Sequence, residues 1–239
     1  MTLPSYQQRR GQIETYFDRT AVQAWARLTS DAPVSRIRAT VRAGRDQMRA
    51  TLLSWLPADL RNQRLLDAGC GTGALAVEAA RRGASVLAID LSPTLVALAR
   101  ERLPADLARP SVGIHGSVDF RDGDMLDPAL GPFDYVVGMD SLIHYEPADA
   151  VRVLAGLAQR TRAAMLFTYA PSNPALVAMR AVGRLFPRGD RAPSIVPVAE
   201  QQLRRLLAAE PHLQAWSSGR TQRVASGFYT SQALELTRT

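Results

Sequence analysis

The stretch Leu65-Leu66-Asp67-Ala68-Gly69-Cys70-Gly71-Thr72-Gly73 constrains this chain more than any other. An apolar run meets three alternating glycines and leads into an amphipathic segment from about Ala74 to Arg82. That pattern spells a buried strand, a tight turn and a helix. Glycine at 69, 71 and 73 lets the backbone reverse sharply and approach a ligand with no Cβ in between. The helix that follows points its first N–H groups back toward that ligand. A second strand, Ser85 to Asp90, ends on an acid where folds of this kind hold a ribose. The expected fold is a doubly wound α/β domain around a nucleotide-like cofactor.

The rest of the chain fits such a domain. Before the glycine turn, Ser5 to Ala26 is helix-like, with Ile13, Tyr16, Phe17, Val22 and Trp25 near helical spacing. A break at residues 29–33 predicts a cap at Ser30 or Asp31, Pro33 in the first turn and a second helix running to about Trp55. That helix carries Arg38, Arg42, Arg45 and Arg49 along one face, either as solvated charge or with Arg42 reaching a ligand carboxylate. After the turn, a helix from Ser92-Pro93 to near Leu103, a strand at Val118 to Arg121 and a strand at Phe133 to Met139 are expected. A helix from Pro147 to about Arg160 and a fifth strand, Ala164 to Tyr169, follow. Ala170 to Val198 carries five prolines and a short apolar run, the make-up of a lid over a substrate. A helix at Glu200 to Ala209 and an antiparallel pair near Leu213–Ser217 and Ser226–Leu236 complete seven strands, the last antiparallel. The expected division is a helical arm, 1–56, and a core, 57–239, with 170–198 as its lid.

Composition excludes several classes. The 239 residues, 46% hydrophobic and 21% charged, suit one sizeable core. No apolar run reaches the roughly 18 residues of a membrane span, and the first residues lack the apolar centre of a signal peptide. The expected location is the cytoplasm. The single cysteine, Cys70, excludes an intrachain disulfide framework. Net charge is +7, and all 29 strongly basic residues are arginine. That balance favours acidic partners, but the arginines are dispersed, so nucleic acid is not the expected partner.

The glycine turn can be read further. Its spacing is G-x-G-x-G, and Asp67 stands two residues before the first glycine. A diphosphate would be repelled by that carboxylate, whereas a cationic amino group would be attracted. The D-x-G-x-G-x-G pattern resembles motif I of the class I S-adenosylmethionine-dependent methyltransferases, which implies a Rossmann-like sheet and that cofactor. On that resemblance Asp67, Gly69, Gly71 and Gly73 form the cofactor turn, and Asp90, with Leu91 beside it, holds the ribose. Asp124 and Met125, after the third strand, meet the adenine, and Met139 closes the pocket from the fourth. As a bare residue Asp124 also reads as a turn aspartate beside glycine. The run Asp140-Ser141-Leu142-Ile143-His144-Tyr145 stands where amino-group methyltransferases carry a proline-rich motif. A histidine there suits oxygen or carboxylate acceptors instead.

Nearly end to end, the chain then resembles the magnesium-protoporphyrin O-methyltransferases of chlorophyll and bacteriochlorophyll biosynthesis. The resemblance is carried by Tyr16-Phe17, Trp25-Ala26-Arg27-Leu28, Val41-Arg42-Ala43-Gly44-Arg45, the glycine turn and Leu142-Ile143-His144-Tyr145. Phe167-Thr168-Tyr169-Ala170-Pro171, Leu185-Phe186-Pro187 and Phe228-Tyr229 extend it. It implies methyl transfer from S-adenosylmethionine, leaving S-adenosylhomocysteine, to a propionate of the magnesium porphyrin. The metal then belongs to the substrate and not to a protein site. It implies catalytic roles for His144 and for Tyr16, the latter replacing a tyrosine that relatives carry where this chain has Thr29. Arg42 would join the cofactor set, and Phe17, Trp25, Asp140 and Tyr145 would contact substrate. Transient contact with magnesium chelatase and peripheral association with photosynthetic membranes complete the expectation. Rival readings are another small-molecule O- or N-methyltransferase, a nucleic-acid methyltransferase and a non-catalytic binding module.

Overall fold

The computed structural model describes residues 4–16, 18, 35–108, 116–172 and 195–239. Phe17 and Trp25, the expected caps at Ser30 and Asp31 with Pro33, and nearly all of the expected lid lie outside these residues. Seven strands form one sheet: β1 (Arg64–Ala68), β2 (Ser85–Asp90), β3 (Ser117–Asp122), β4 (Phe133–Gly138), β5 (Thr161–Tyr169), β6 (Trp216–Ser226) and β7 (Tyr229–Arg238). Their order is β3-β2-β1-β4-β5-β7-β6. The first five pair in parallel, and β7 runs antiparallel to both β5 and β6. This is the expected seven-stranded Rossmann-like sheet. The strand order reverses at β1, which pairs with β2 on one side and β4 on the other, and that opens a crevice at the carboxyl ends.

Alternation along the strands divides the core between two faces. Leu66, Leu87, Ile89, Val136, Met165 and Phe167 point to one cluster, and Leu65, Val86, Ala88, Val137 and Leu166 to the other. Both faces of β1, β2, β4 and β5 are covered, so these strands read as near-continuous apolar runs, whereas β3 lies at the sheet edge and is mostly exposed. On the first face lie α6 (Pro147–Ala158) and α7 (Glu200–Ala209), together with Tyr6 and Ile13 of α1 (Pro4–Thr15). On the second lie α2 (Arg36–Trp55), α3 (Ala74–Arg81) and α4 (Pro93–Glu101), with the short α5 (Ala105–Ala108) beside them.

Three boundaries differ from expectation. Helix α1 ends at Thr15, with a wider π-type turn at Tyr16 and Asp18. Helix α2 begins at Arg36 and is capped by Ser35, whose Oγ accepts the Arg38 N–H at 3.4 Å. The closing hairpin turns at Gly227-Phe228, so β6 occupies the stretch read as a loop. That strand lies at the sheet edge and is exposed along most of its length, so no hydrophobic period betrays it.

Helix α2 is sewn to the hairpin at two places. Near its C-terminus Arg220 donates to the Trp55 carbonyl at 2.8 Å and to Glu235. Near its middle Gly44 lies under the Tyr229 ring, where an added Cβ would sit 2.5 Å from Tyr229 Cδ1. Alanine normally gains up to about 1 kcal/mol over glycine in a helix interior. At Gly11 of α1 a Cβ would meet nothing within 4 Å, so Gly11→Ala is expected to stabilise. Gly44→Ala is expected to destabilise by about 1–3 kcal/mol through overpacking. Thermal melts of the two variants read both signs.

Candidate active site

The turn between β1 and α3 is built on main-chain bonds. Gly69 and Cys70 both donate N–H groups to the Ile89 carbonyl, at 2.8 and 3.0 Å. Gly71 donates to Asp90 Oδ2 at 2.8 Å, and Ser92 donates to Asp90 Oδ1 at 3.0 Å. The acid of β2 therefore holds the turn in shape and keeps further lone pairs on each oxygen for two ribose hydroxyls. Gly69 has φ 87, and a Cβ there would lie 2.4 Å from Ser141 Cβ. The loop leaving β4 thus rests directly on the cofactor turn. Gly73 opens α3 with φ 79 and no capping side chain of its own; the Ala76 N–H of the first turn bonds the Asp67 carboxyl, and the N–H groups before it face the turn.

Asp67 is buried, and its Oδ2 has no hydrogen-bond partner. Burial, reinforced by the charge of Asp90, pushes its carboxyl up to about 7. A buried carboxylate in this condition wants a cation. The orphaned oxygen, the glycine cradle and the spare acceptors on Asp90 fit S-adenosylmethionine, whose ammonium and ribose meet those needs. Cys70 offers no nucleophile, because burial and then the two neighbouring acids push its thiol well above the ordinary range.

Of the remaining expected cofactor residues, Leu91, Met125 and Met139 come after β2, β3 and β4 in turn, and Arg42 stands on α2. Met125 is buried in the first cluster and Leu91 is packed at its margin, while Met139 borders the second cluster. Asp124 follows β3 as expected, but its carboxylate is engaged by the N-terminal helix. Tyr6 donates its hydroxyl at 2.7 Å, and Arg10 forms an ion pair at 2.9 Å. Farther along, Asp18 accepts from the Ser92 and Thr94 hydroxyls, at 3.2 and 2.5 Å, over the start of α4. Tyr16 lies two residues before Asp18 in the chain. Arg42 is half-buried on α2, one turn before Arg45.

On the acceptor side, β4 delivers Asp140 and then a 3-10 turn, Leu142–His144, in which His144 is buried. The chain returning from residue 194 is tied to this turn by the Val196 N–H, which donates to the Ile143 carbonyl at 2.8 Å. Two residues expected at the substrate have other neighbours. The Tyr145 ring stacks on Tyr6 with centroids 5.2 Å apart. Asp140 is enclosed by Arg45, Thr168, Tyr229 and Ser231. Sequence reasoning missed Tyr6, Arg10, Asp18, Arg45 and Tyr229. Only the last two stand in stretches that carried the resemblance, and neither was singled out.

A cation arriving at the turn favours ionised Asp67, so cofactor affinity should be full above pH about 7 and fall toward tenfold per unit below it. Calorimetric titration with S-adenosylhomocysteine, which retains the ammonium, reads this slope. Asp67→Asn should remove both the slope and most of the affinity. Because the folded value stands above the unfolded one, the ligand-free chain should lose stability as pH rises from about 4 through about 7. In Asp67→Asn that loss should be absent.

Residues 138–238 match the family described as Magnesium-protoporphyrin IX methyltransferase C-terminus, and residues 65–163 match Methyltransferase domain. The chain is 51% identical over 235 residues to the Magnesium-protoporphyrin O-methyltransferase of Rhodobacter capsulatus, covering 98% of this chain and 99% of that one. It superposes on the magnesium protoporphyrin IX methyltransferase of Synechocystis PCC 6803 with bound SAH at a TM-score of 0.80 and 27% identity, covering 96% of this chain and 100% of that one. With bound SAM the same enzyme matches at a TM-score of 0.77 and 25% identity, covering 97% of each chain. The strand order, the glycine turn facing two acids and a relationship that spans both chains lead to one conclusion: this protein belongs to the magnesium-protoporphyrin O-methyltransferase family, among the class I S-adenosylmethionine-dependent methyltransferases.

Proposed function

We propose that this chain moves a methyl group from S-adenosylmethionine to one propionate carboxylate of magnesium protoporphyrin IX, giving the monomethyl ester. The observation that carries this reading is the relationship along the whole chain to a protein named for that activity, and the contact of Ser141 on Gly69 adds the geometry. It places the turn bearing His144 against the turn built for the cofactor. When bound, the cofactor supplies an electrophilic methyl group on a sulfonium. Asp67 binds its ammonium and Asp90 its ribose, while Asp124 and Met125 border the adenine and Met139 the pocket wall. Arg42, half-buried on α2, reaches a carboxylate of the cofactor.

A propionate ionises near ~4–5, as side-chain carboxyls do, so no strong base is required. What the protein must supply is in-line geometry, which is worth about 7–11 kcal/mol when reactants are well oriented. His144 donates a hydrogen bond to the acceptor carboxylate and aims it, and takes the proton from an acceptor that arrives protonated. Tyr16 assists from the arm. The sequence resemblance supports a porphyrin slot formed by residues 1–56 and 170–198, with Phe17 and Trp25 as the residues that would meet the ring.

No helix among the described residues is long and apolar enough to cross a membrane. Peripheral contact with a photosynthetic membrane and hand-over from magnesium chelatase follow from the substrate, a flat hydrophobic dianion that is poorly dispersed in water.

Labelled S-adenosylmethionine incubated with magnesium protoporphyrin should yield labelled monoester, with far less from the metal-free porphyrin. His144→Ala should lower turnover by about 10²-fold or more while S-adenosylhomocysteine affinity stays within about threefold. Unchanged turnover would remove His144 from the mechanism.

A further inference from the structure

Asp140 is the junction of four separate parts of the fold. Its carboxylate accepts from Arg45 of α2 at 2.7 Å, from the Thr168 hydroxyl of β5 at 3.1 Å and from the Ser231 hydroxyl of β7 at 3.1 Å. The Tyr229 hydroxyl of β7 lies 3.2 and 3.1 Å from its two oxygens. Thr168 Oγ1 also accepts the Asp140 N–H at 2.7 Å. One hydroxyl thus clasps the backbone and the side chain of the same residue. The side chain of Asp140 is 6% exposed.

The backbone there is unusual. Asp140 has φ 55, one of two non-glycine residues with positive φ among the described residues. A left-handed aspartate persists where its surroundings over-determine it, and the clasp does so here. The direction in which the chain leaves β4 follows from that conformation. Ser141 comes to rest on Gly69, and the 3-10 turn that ends in His144 begins one residue later.

We propose that Asp140 is a positioning residue for methyl transfer. Its buried network with Arg45, Thr168, Tyr229 and Ser231 holds the 142–144 turn so that His144 meets the acceptor carboxylate. Asp140 does not itself touch substrate, because its own oxygens are occupied within the protein. Burial and then the charge of Asp140 push the Tyr229 hydroxyl far above its ordinary value, so it remains a donor at any working pH. This inference rests on the role given to His144 above.

The test separates positioning from plain stabilisation. Asparagine adopts left-handed backbone readily, so Asp140→Asn removes the charge and leaves the turn available. Tyr229→Phe keeps the ring over Gly44 and deletes only one donor, which provides a well-folded second variant. Each is measured alone and in a His144→Ala background, for kcat and KM with magnesium protoporphyrin and for S-adenosylhomocysteine affinity by calorimetry.

Asp140→Asn is expected to lower kcat at least about tenfold and Tyr229→Phe about threefold, with KM and cofactor affinity within about threefold. Neither should cost anything further once His144 is alanine, because both act through it. Equal losses with and without His144 would overturn the proposal, as would a loss confined to KM or no loss in either variant. If His144→Ala alone leaves turnover intact, the role of His144 falls instead, and the positioning role with it.

Discussion

The two sides of the site are held together by a steric contact at the reversal of strand order. Strand β1 hydrogen-bonds to β2 and β4, so the loops leaving β1 and β4 start side by side and diverge. One becomes the cofactor turn and the other carries the acceptor residues. They meet where Gly69, in left-handed backbone, faces Ser141 with no room for a Cβ. Parallel strands place such loops at the same rim in any doubly wound sheet. In this chain the contact is close enough that the position of one loop dictates that of the other.

The arginine content has a meaning that charge alone does not convey. Several guanidinium groups are spent inside the protein on carbonyl oxygens and buried acids. Arg64 donates to the Leu130 and Pro132 carbonyls, Arg160 to Leu126 and Arg100 to Phe120. Arg10 and Arg45 pair with Asp124 and Asp140. A planar fork with several donors can staple a loop in this way, which an ammonium group does less well. The arginine content therefore reflects in part how loops are fastened, and the formal +7 is not by itself a sign of acidic partners.

What could be read in advance, and what could not, follows from the range of each interaction. The cofactor turn, Asp90 and the parallel strands are written in local spacing and apolar runs, and the structure has them where the spacing puts them. Pairings across the chain leave no local trace. Tyr6 and Arg10 reach Asp124 over more than a hundred residues, and Tyr229 reaches Asp140 over 89. Asp124 and Asp140 were legible as acids at the rim, but a spacing does not reveal which groups of the same chain will claim them. Strand β6 escaped for a different reason. As a polar edge strand it shows the sequence little of the alternation that marks a half-buried strand.

The contact between Gly69 and Ser141 also constrains how such a protein can diversify. Residues 138–141 are wedged against the donor machinery, so variation there disturbs methyl donation itself. A change at this wedge therefore costs the donor side as well as the acceptor side, because one small side chain serves both walls of the cleft.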